Sequence, residues 1–318
     1  MTNYFKERSD NKVLAKDLRE QKVNYKWKFN WESIFVVVYI HFTGIYGLYL
    51  AFFYAKLWTI LWSFSIFYIA AMLGTIAGSH RLWSHRSYKA KWPMKLILIL
   101  FQAAAFQGPI YAWARDHRLH HKFMDTDADP YNARRGIFFS HIGWLLIHKH
   151  PEVLIKGATI DCKDLKQDSF IVFQRKWYTY LLMSWLILST LISCWTWNET
   201  LLCAWHLAIC MICLNLHMTF TINSIAHKWG TRPYNKSITP VNNTGVSFVT
   251  FGEGWHNYHH VFPWDYKVAE TKNYTFNFAT VFIDIFAFLN LAYDLKTANI
   301  NIVKKYSLQN DRIISAEK

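Results

Sequence analysis

Residues 34–77 read IFVVVYIHFTGIYGLYLAFFYAKLWTILWSFSIFYIAAMLGTIA, two apolar runs, Ile34–Tyr54 and Leu57–Ala77, parted by Ala55 and Lys56. Neither run carries a formal charge. A helix of about 20 residues rises far enough to cross the ~30 Å hydrocarbon of a bilayer. A second such pair, Tyr178–Trp197 and Leu201–Ile222, is split by the polar turn Asn198–Thr200. Helices buried in a soluble core seldom reach this length uncharged. The sequence therefore predicts an all-α integral membrane protein with four transmembrane helices and the remaining chain as a helical cap.

Charge gives the sidedness. Of 35 Lys and Arg, 34 lie in residues 1–33, 80–177 and 223–318, and only Lys56 lies in a connection on the opposite side. The positive-inside rule makes the shared side cytosolic, with both termini there. The expected organisation is a cytosolic segment (1–33), a first transmembrane hairpin (34–77), a cytosolic catalytic region (78–177), a second hairpin (178–222) and a second cytosolic region with a C-terminal tail (223–318). The sequons at Asn235 and Asn273 then stay away from the glycosylation machinery, and Asn198-Glu-Thr200 sits too near the bilayer. Residues 1–30 alternate charges and lack the apolar core of a signal peptide. The runs Leu96–Phe106 and Ala279–Leu291 are too short to span and are expected to lie at the interface or pack the cap.

Composition agrees. Hydrophobic residues are 53% of the 318 and charged residues 18%, against about 25% charge in soluble domains. Disorder is excluded and a soluble enzyme fits poorly. A net charge of +14 calls for an anionic partner such as a phosphate-bearing substrate or anionic lipid. Five scattered Cys exclude a disulfide scaffold.

Fifteen His are unusual, and nine fall in four clusters near the predicted membrane ends: His80 and His85; His117, His120 and His121; His227; and His256, His259 and His260. Positions i, i+3 and i+4 share a helix face, so each HxxHH triplet is aligned, as are Asn223 and His227. His80 and His85 are about 140° apart on an α-helix, so one is expected to leave it. Nine imidazoles exceed the roughly six positions of one first-row ion and suit two; imidazole alone does not choose among Fe, Zn, Cu and Ni. His41, His206 and His217 lie inside spans and are expected to pack or hydrogen-bond, and Cys210-Met-Ile-Cys213 to pack a helix.

These strings resemble the membrane acyl-CoA desaturases of animals, the stearoyl-CoA desaturase-like family. The matching text is Ala77-Gly-Ser-His80-Arg-Leu-Trp-Ser-His85, Trp113-Ala-Arg-Asp-His117-Arg-Leu-His-His121, Asn223-Ser-Ile-Ala-His227 and Gly254-Trp-His256-Asn-Tyr-His-His260-Val-Phe-Pro-Trp-Asp-Tyr266, with Asp127-Ala-Asp-Pro130 besides. The likeness covers roughly residues 25–295. It implies a di-iron site, one ion held by His80, His85, His117, His121 and His260, the other by His120, His227, His256 and His259, with Asn223 reaching it through water. It further implies O₂-dependent insertion of a cis double bond, of Δ9 or Δ11 type, into a saturated acyl chain on coenzyme A. Electrons would come from cytochrome b5 and its NADH-dependent reductase, at the endoplasmic reticulum membrane; nucleic acid is not an expected partner.

By the same resemblance Arg115, Asp116 and Lys149 hold the coenzyme A head, with His148 in place of the family's usual Arg. Phe220 stands where a tunnel Trp is usual, His217 where an Asn is, and Ser33 and Gly108 replace Asn at the entrance. Tyr68 and Met72 are placed at the closed end of the acyl tunnel, and the bulk of Met72 predicts a preference for about C14–C16 over C18. Two other readings of the His set are a di-iron membrane hydroxylase and a zinc-dependent membrane hydrolase, the latter disfavoured by clusters without a carboxylate.

Overall fold

The computed structural model describes residues 26–269 and 277–316; the basic stretch 1–25, the sequon at Asn273 and Lys318 lie outside them. In chain order the principal helices are α1 (Trp31–Phe53), α2 (Leu57–Ala70), a π-helix (Ala71–Ser84) continuing α2, α3 (Trp92–Ala104), α4 (Ile110–Phe123), α5 (Ser169–Trp197), α6 (Leu201–Ser224), α7 (His256–Val261), α8 (Phe278–Phe288) and α9 (Ile300–Ala316). Among the described residues strand is confined to Lys89–Ala90, antiparallel to Ala292–Tyr293.

Four helical stretches are long and apolar enough to cross a membrane: Trp31–Phe53, Leu57–Ser84, Ser169–Trp197 and Leu201–His227, of 23, 28, 29 and 27 residues. Their outward faces are apolar, with Phe35, Phe42 and Phe52 each more than 70% exposed, a surface that only lipid solvates well. At the end away from the cap the two hairpins are stapled. Buried Glu199 accepts from the Lys56 backbone N–H at 2.8 Å and the Thr59 hydroxyl at 2.7 Å. Lys56 Nζ in turn donates to the Trp197 and Asn198 carbonyls. Lys56 thus closes helix ends that would otherwise leave carbonyls unpaired.

The second span runs on to Ser84 instead of ending near Ala77, because it widens into a π-helix. Along this segment α3 packs in close contact. A Cβ on Gly74 would lie 2.2 Å from the Gln102 backbone nitrogen, so only glycine permits the approach, and the Thr75 hydroxyl donates to Gln102 at 3.0 Å. With Met94, Leu98 and Ile99 fully buried, α3 is a packing helix, the second of the two roles expected for it. In α8 the inner residues Ala279, Thr280 and Ile283 are buried, while Phe278, Ile285 and Phe288 are at least half exposed. That helix both packs and offers an apolar face at the boundary.

Candidate metal centre

The π-helix, α4, α7 and the turn after α6 converge at the membrane boundary. Hydrogen bonds in a π-helix run from i+5 to i, and the His85 N–H donates to the His80 carbonyl at 3.1 Å. The wider turn brings residues five apart onto one side, and the helix ends at Ser84, so His85 stands just past its end, as the α-helical arithmetic expected of one of the pair. Their ring centroids are 4.9 Å apart. In α7 the residues between the ligand positions anchor the helix. Asn257 accepts from the backbone N–H groups of Tyr234 and Asn235, and the Tyr258 hydroxyl donates to Asp265 at 2.8 Å. In α4 Arg118 reaches the Trp83 and Ser84 carbonyls. The two helices are thereby clamped with their imidazoles facing one another.

The nine imidazoles form two adjacent cages. His80, His85, His117 and His259 bring ring nitrogens within 4.8 Å of one another, and so do His120, His227, His256 and His260. His121 joins the first cage, its Nε2 3.0 Å from that of His259. His259 and His260 therefore exchange the places that the resemblance gave them. The reason is angular: His256 and His260 are i, i+4 and meet at 3.1 Å, whereas His259 points round the helix to His80 at 3.0 Å. Asn223 lines the cavity beside the cages.

The spacing fits metal ligation. Nitrogens cis to each other on an ion at about 2.1 Å lie about 3.0 Å apart, and the Nε2 pairs His85–His117, His80–His259 and His227–His256 are 2.8, 3.0 and 3.1 Å apart. His120 Nε2 is buried with no hydrogen-bond partner. On the far side of three of the rings the Nδ1 atom is held. His80 Nδ1 donates to Glu253 at 2.9 Å and His120 Nδ1 to Asp129 at 2.9 Å. His227 Nδ1 donates to the Thr239 hydroxyl, which passes its own proton to Asp125. Such partners fix the tautomer and aim the Nε2 lone pair at a metal. Burial, then the neighbouring imidazoles, hold His117, His121, His256, His259 and His260 well below the usual range. They are neutral at pH 7, the form a metal binds. Burial raises the Glu253 carboxyl, but His80 and Arg81 outweigh it and bring it down to about 2.

Beside the cages runs a cavity of about 1540 Å³, lined by His80, His117, His120 and His256 and by apolar groups including Ala71, Ile76, Trp113, Phe220 and Phe251. Arg115, Asp116, His148, Lys149, Lys163 and Lys166 line it too, as do Ser33 and Gly108. Arg115 and Lys149 both donate to buried Asp116. Burial pushes that carboxyl up, yet the charges of Lys149 and Arg115 outweigh it and hold it below its ordinary value. Tyr68 and Met72 are not in the lining. Tyr68 packs its ring on Phe251 at 4.0 Å, and Met72 sits half-buried against the core, while Ala71 and Thr75 of the same span line the cavity. The sequence reading missed Glu253, Asp129, Thr239 and the two mouth lysines, which no spacing rule singles out.

A chain with four helices long enough to span a membrane, holding two neighbouring all-imidazole cages that could bind metal beside a largely apolar cavity, falls in the class of histidine-rich multi-pass membrane proteins. Residues 62–269 match the fatty acid desaturase family. An acyl-CoA Delta-9 desaturase of Acheta domesticus is 48% identical over 92% of this chain and 82% of its own. An acyl-CoA Delta(11) desaturase of Spodoptera littoralis is 49% identical over 89% and 83%, and an (11Z)-hexadec-11-enoyl-CoA conjugase of Bombyx mori 45% over 97% and 93%. The chain belongs to the fatty acid desaturase family, and it is an oxidoreductase.

Proposed function

We propose that the protein introduces a cis double bond, of Δ9 or Δ11 type, into a saturated acyl chain carried by coenzyme A. Overall, R–CH₂–CH₂–R′, O₂, two electrons and two protons become R–CH=CH–R′ and two waters. The observation that carries this is the cavity, which is lined both by the cationic Arg115, Lys149, Lys163 and Lys166 and by apolar side chains, along the walls of both cages. His80, His85, His117, His121 and His259 hold one iron and His120, His227, His256 and His260 the other, with Asn223 close by. Iron supplies the oxidising power that an unactivated C–H bond demands.

The residues do the rest. Lys149, Arg115, Lys163 and Lys166 attract the phosphates of the head group. The apolar wall of Ala71, Ile76, Trp113 and Phe251 straightens the tail past the cages and excludes water. Glu253 and Asp129 already accept from ligand imidazoles, so neither is available as the general base a zinc hydrolase needs.

The cationic cap faces the cytosol of the endoplasmic reticulum with both termini on that side. Its charge suits an acidic electron carrier, cytochrome b5, reduced by an NADH-dependent reductase. Expression in a desaturase-deficient yeast, followed by mapping of double bonds, tests the proposal. New Δ9 or Δ11 monoenes are expected; hydroxylated chains, or no product from a membrane-inserted protein, overturn it.

A further inference from the structure

We propose a third metal site inside the membrane, between α1 and α6, where His41, Cys213 and His217 bind one copper(I) ion. Their ligand atoms lie within 4.8 Å of one another, apart from both cages. The hydrogen bonds around them assign the protons. His41 Nδ1 donates to the Val37 carbonyl at 2.6 Å, which leaves a lone pair on Nε2. At the other end of the network the Ser224 hydroxyl gives its proton to the Phe220 carbonyl at 2.8 Å. His141 Nδ1, 2.9 Å from Ser224 Oγ, must therefore be the donor there. Neutral His141 then accepts at Nε2 from His217 Nδ1, 2.9 Å away, and His217 too is left with a lone pair on Nε2. The two lone pairs face each other across 2.9 Å. Between two neutral rings that contact is repulsive and is relieved by a cation, a shared proton or a metal ion; the Cys213 sulfur, a third soft donor within reach, favours the metal. His80, His120 and His227 of the cages show the same pattern, with Nδ1 anchored outward.

The packing brings these donors together. A Cβ on Gly44 would lie 3.2 Å from the Cys213 Cβ, so the glycine lets α1 approach α6 one turn beyond His41, as small residues do between membrane helices. Three donors around one ion at 2.0–2.3 Å lie about 3.5–3.8 Å apart, so seating the ion spreads the His41 and His217 nitrogens from their 2.9 Å separation by roughly half an ångström.

Ion identity follows from charge and softness. His41 lies ten residues into α1, about 15 Å along the helix. A thiolate with a monovalent ion is neutral, whereas a divalent ion leaves a net charge in hydrocarbon. Two imidazoles and a thiolate also suit copper(I). Binding displaces the Cys213 thiol proton to solvent, and no electron moves. Occupancy ties α1 to α6, which both line the cavity through Val36, Ile40, Leu216 and Phe220.

The test is an anaerobic titration of full-length, iron-loaded protein in detergent with copper(I) alone, in competition with bathocuproine disulfonate. One copper per chain is expected, with a copper-edge absorption spectrum showing both sulfur and nitrogen neighbours. Affinity should fall at least 100-fold in Cys213→Ser and His217→Asn and stay unchanged in Cys210→Ser. Iron content shows whether each variant is intact, and the wild-type spectrum is read without any variant. No tight copper, a spectrum without sulfur, tighter binding of zinc, or full affinity in Cys213→Ser overturns the proposal.

Discussion

Glu253 accepts from His80 Nδ1 at 2.9 Å with one oxygen and from Arg81 at 2.7 Å with the other. One carboxylate thus orients a metal-facing imidazole and neutralises a guanidinium that is fully buried. Glu253→Gln keeps the shape and removes the charge. Metal affinity of the His80 cage is expected to fall about 10–100-fold, and the stranded Arg81 to lower stability by about 3–5 kcal/mol. Metal content per chain and thermal unfolding check this; wild-type values in both count against the coupling.

Asp129 plays the corresponding part for His120, accepting its Nδ1–H at 2.9 Å. Because the two cages have separate anchors, Asp129→Asn should empty the second cage selectively, taking metal content from about two ions per chain towards one, with a 10–100-fold loss of affinity there. Loss of both ions together in dilute chelator would mean that the cages do not bind independently.

The four membrane-length helices and the nine clustered imidazoles were legible because their signals are local: apolar length for the helices, i, i+3, i+4 spacing for the HxxHH triplets. His80 and His85 were harder, since the five-residue spacing works only in a π-helix and nothing in the residues themselves announces one. Assigning His259 and His260 to cages failed for a different reason: adjacent residues differ only in which way the helix is rotated, and packing decides that. Glu253 and Glu199 act over separations of 173 and 140 residues from their partners, and long-range pairing leaves no pattern in the chain; Asp129, nine residues from His120, lay inside one of the matching strings but without a role that spacing alone assigns. Tyr68 and Met72 were set at the tunnel end by the resemblance and not by any spacing, and neither is among the residues that line the cavity.

Lys149 at the cavity mouth donates to Asp116. If phosphate takes over that bond during substrate binding, Lys149→Ala should raise KM for an acyl-CoA about tenfold, the equivalent of about 1.4 kcal/mol, with kcat and metal content unchanged. Steady-state kinetics on reconstituted enzyme read the split; a fall in kcat alone places Lys149 outside substrate binding.

Chain-length choice should answer to Ala71 and not to Met72, since only Ala71 lines the cavity. Ala71→Leu adds bulk to the wall and is expected to disfavour the longest accepted tail about tenfold, at a packing cost of about 1–3 kcal/mol. Met72→Ala should leave product lengths unchanged. Gas chromatography of yeast fatty acids distinguishes the two, and a lengthened product from Met72→Ala would restore that side chain to the tunnel end.

Asp164 accepts from Arg86 at 2.8 Å and from Arg118 at 2.6 Å, tying the end of the π-helix to α4. Burial alone would raise its carboxyl, but hydrogen bonds from Arg118 and Arg86 bring it from the usual 3.8 to about 2. Between those values the unfolded chain binds more protons than the folded one, so stability rises with pH there. The contribution is complete above about pH 4 and is lost as pH falls towards 2; Asp164 is more than a third exposed, so solvent screening keeps it small. Thermal unfolding of wild type and Asp164→Asn in detergent should differ by a few degrees at about pH 5 and converge near pH 2. A gap that persists in acid would show that packing, not charge, holds this junction.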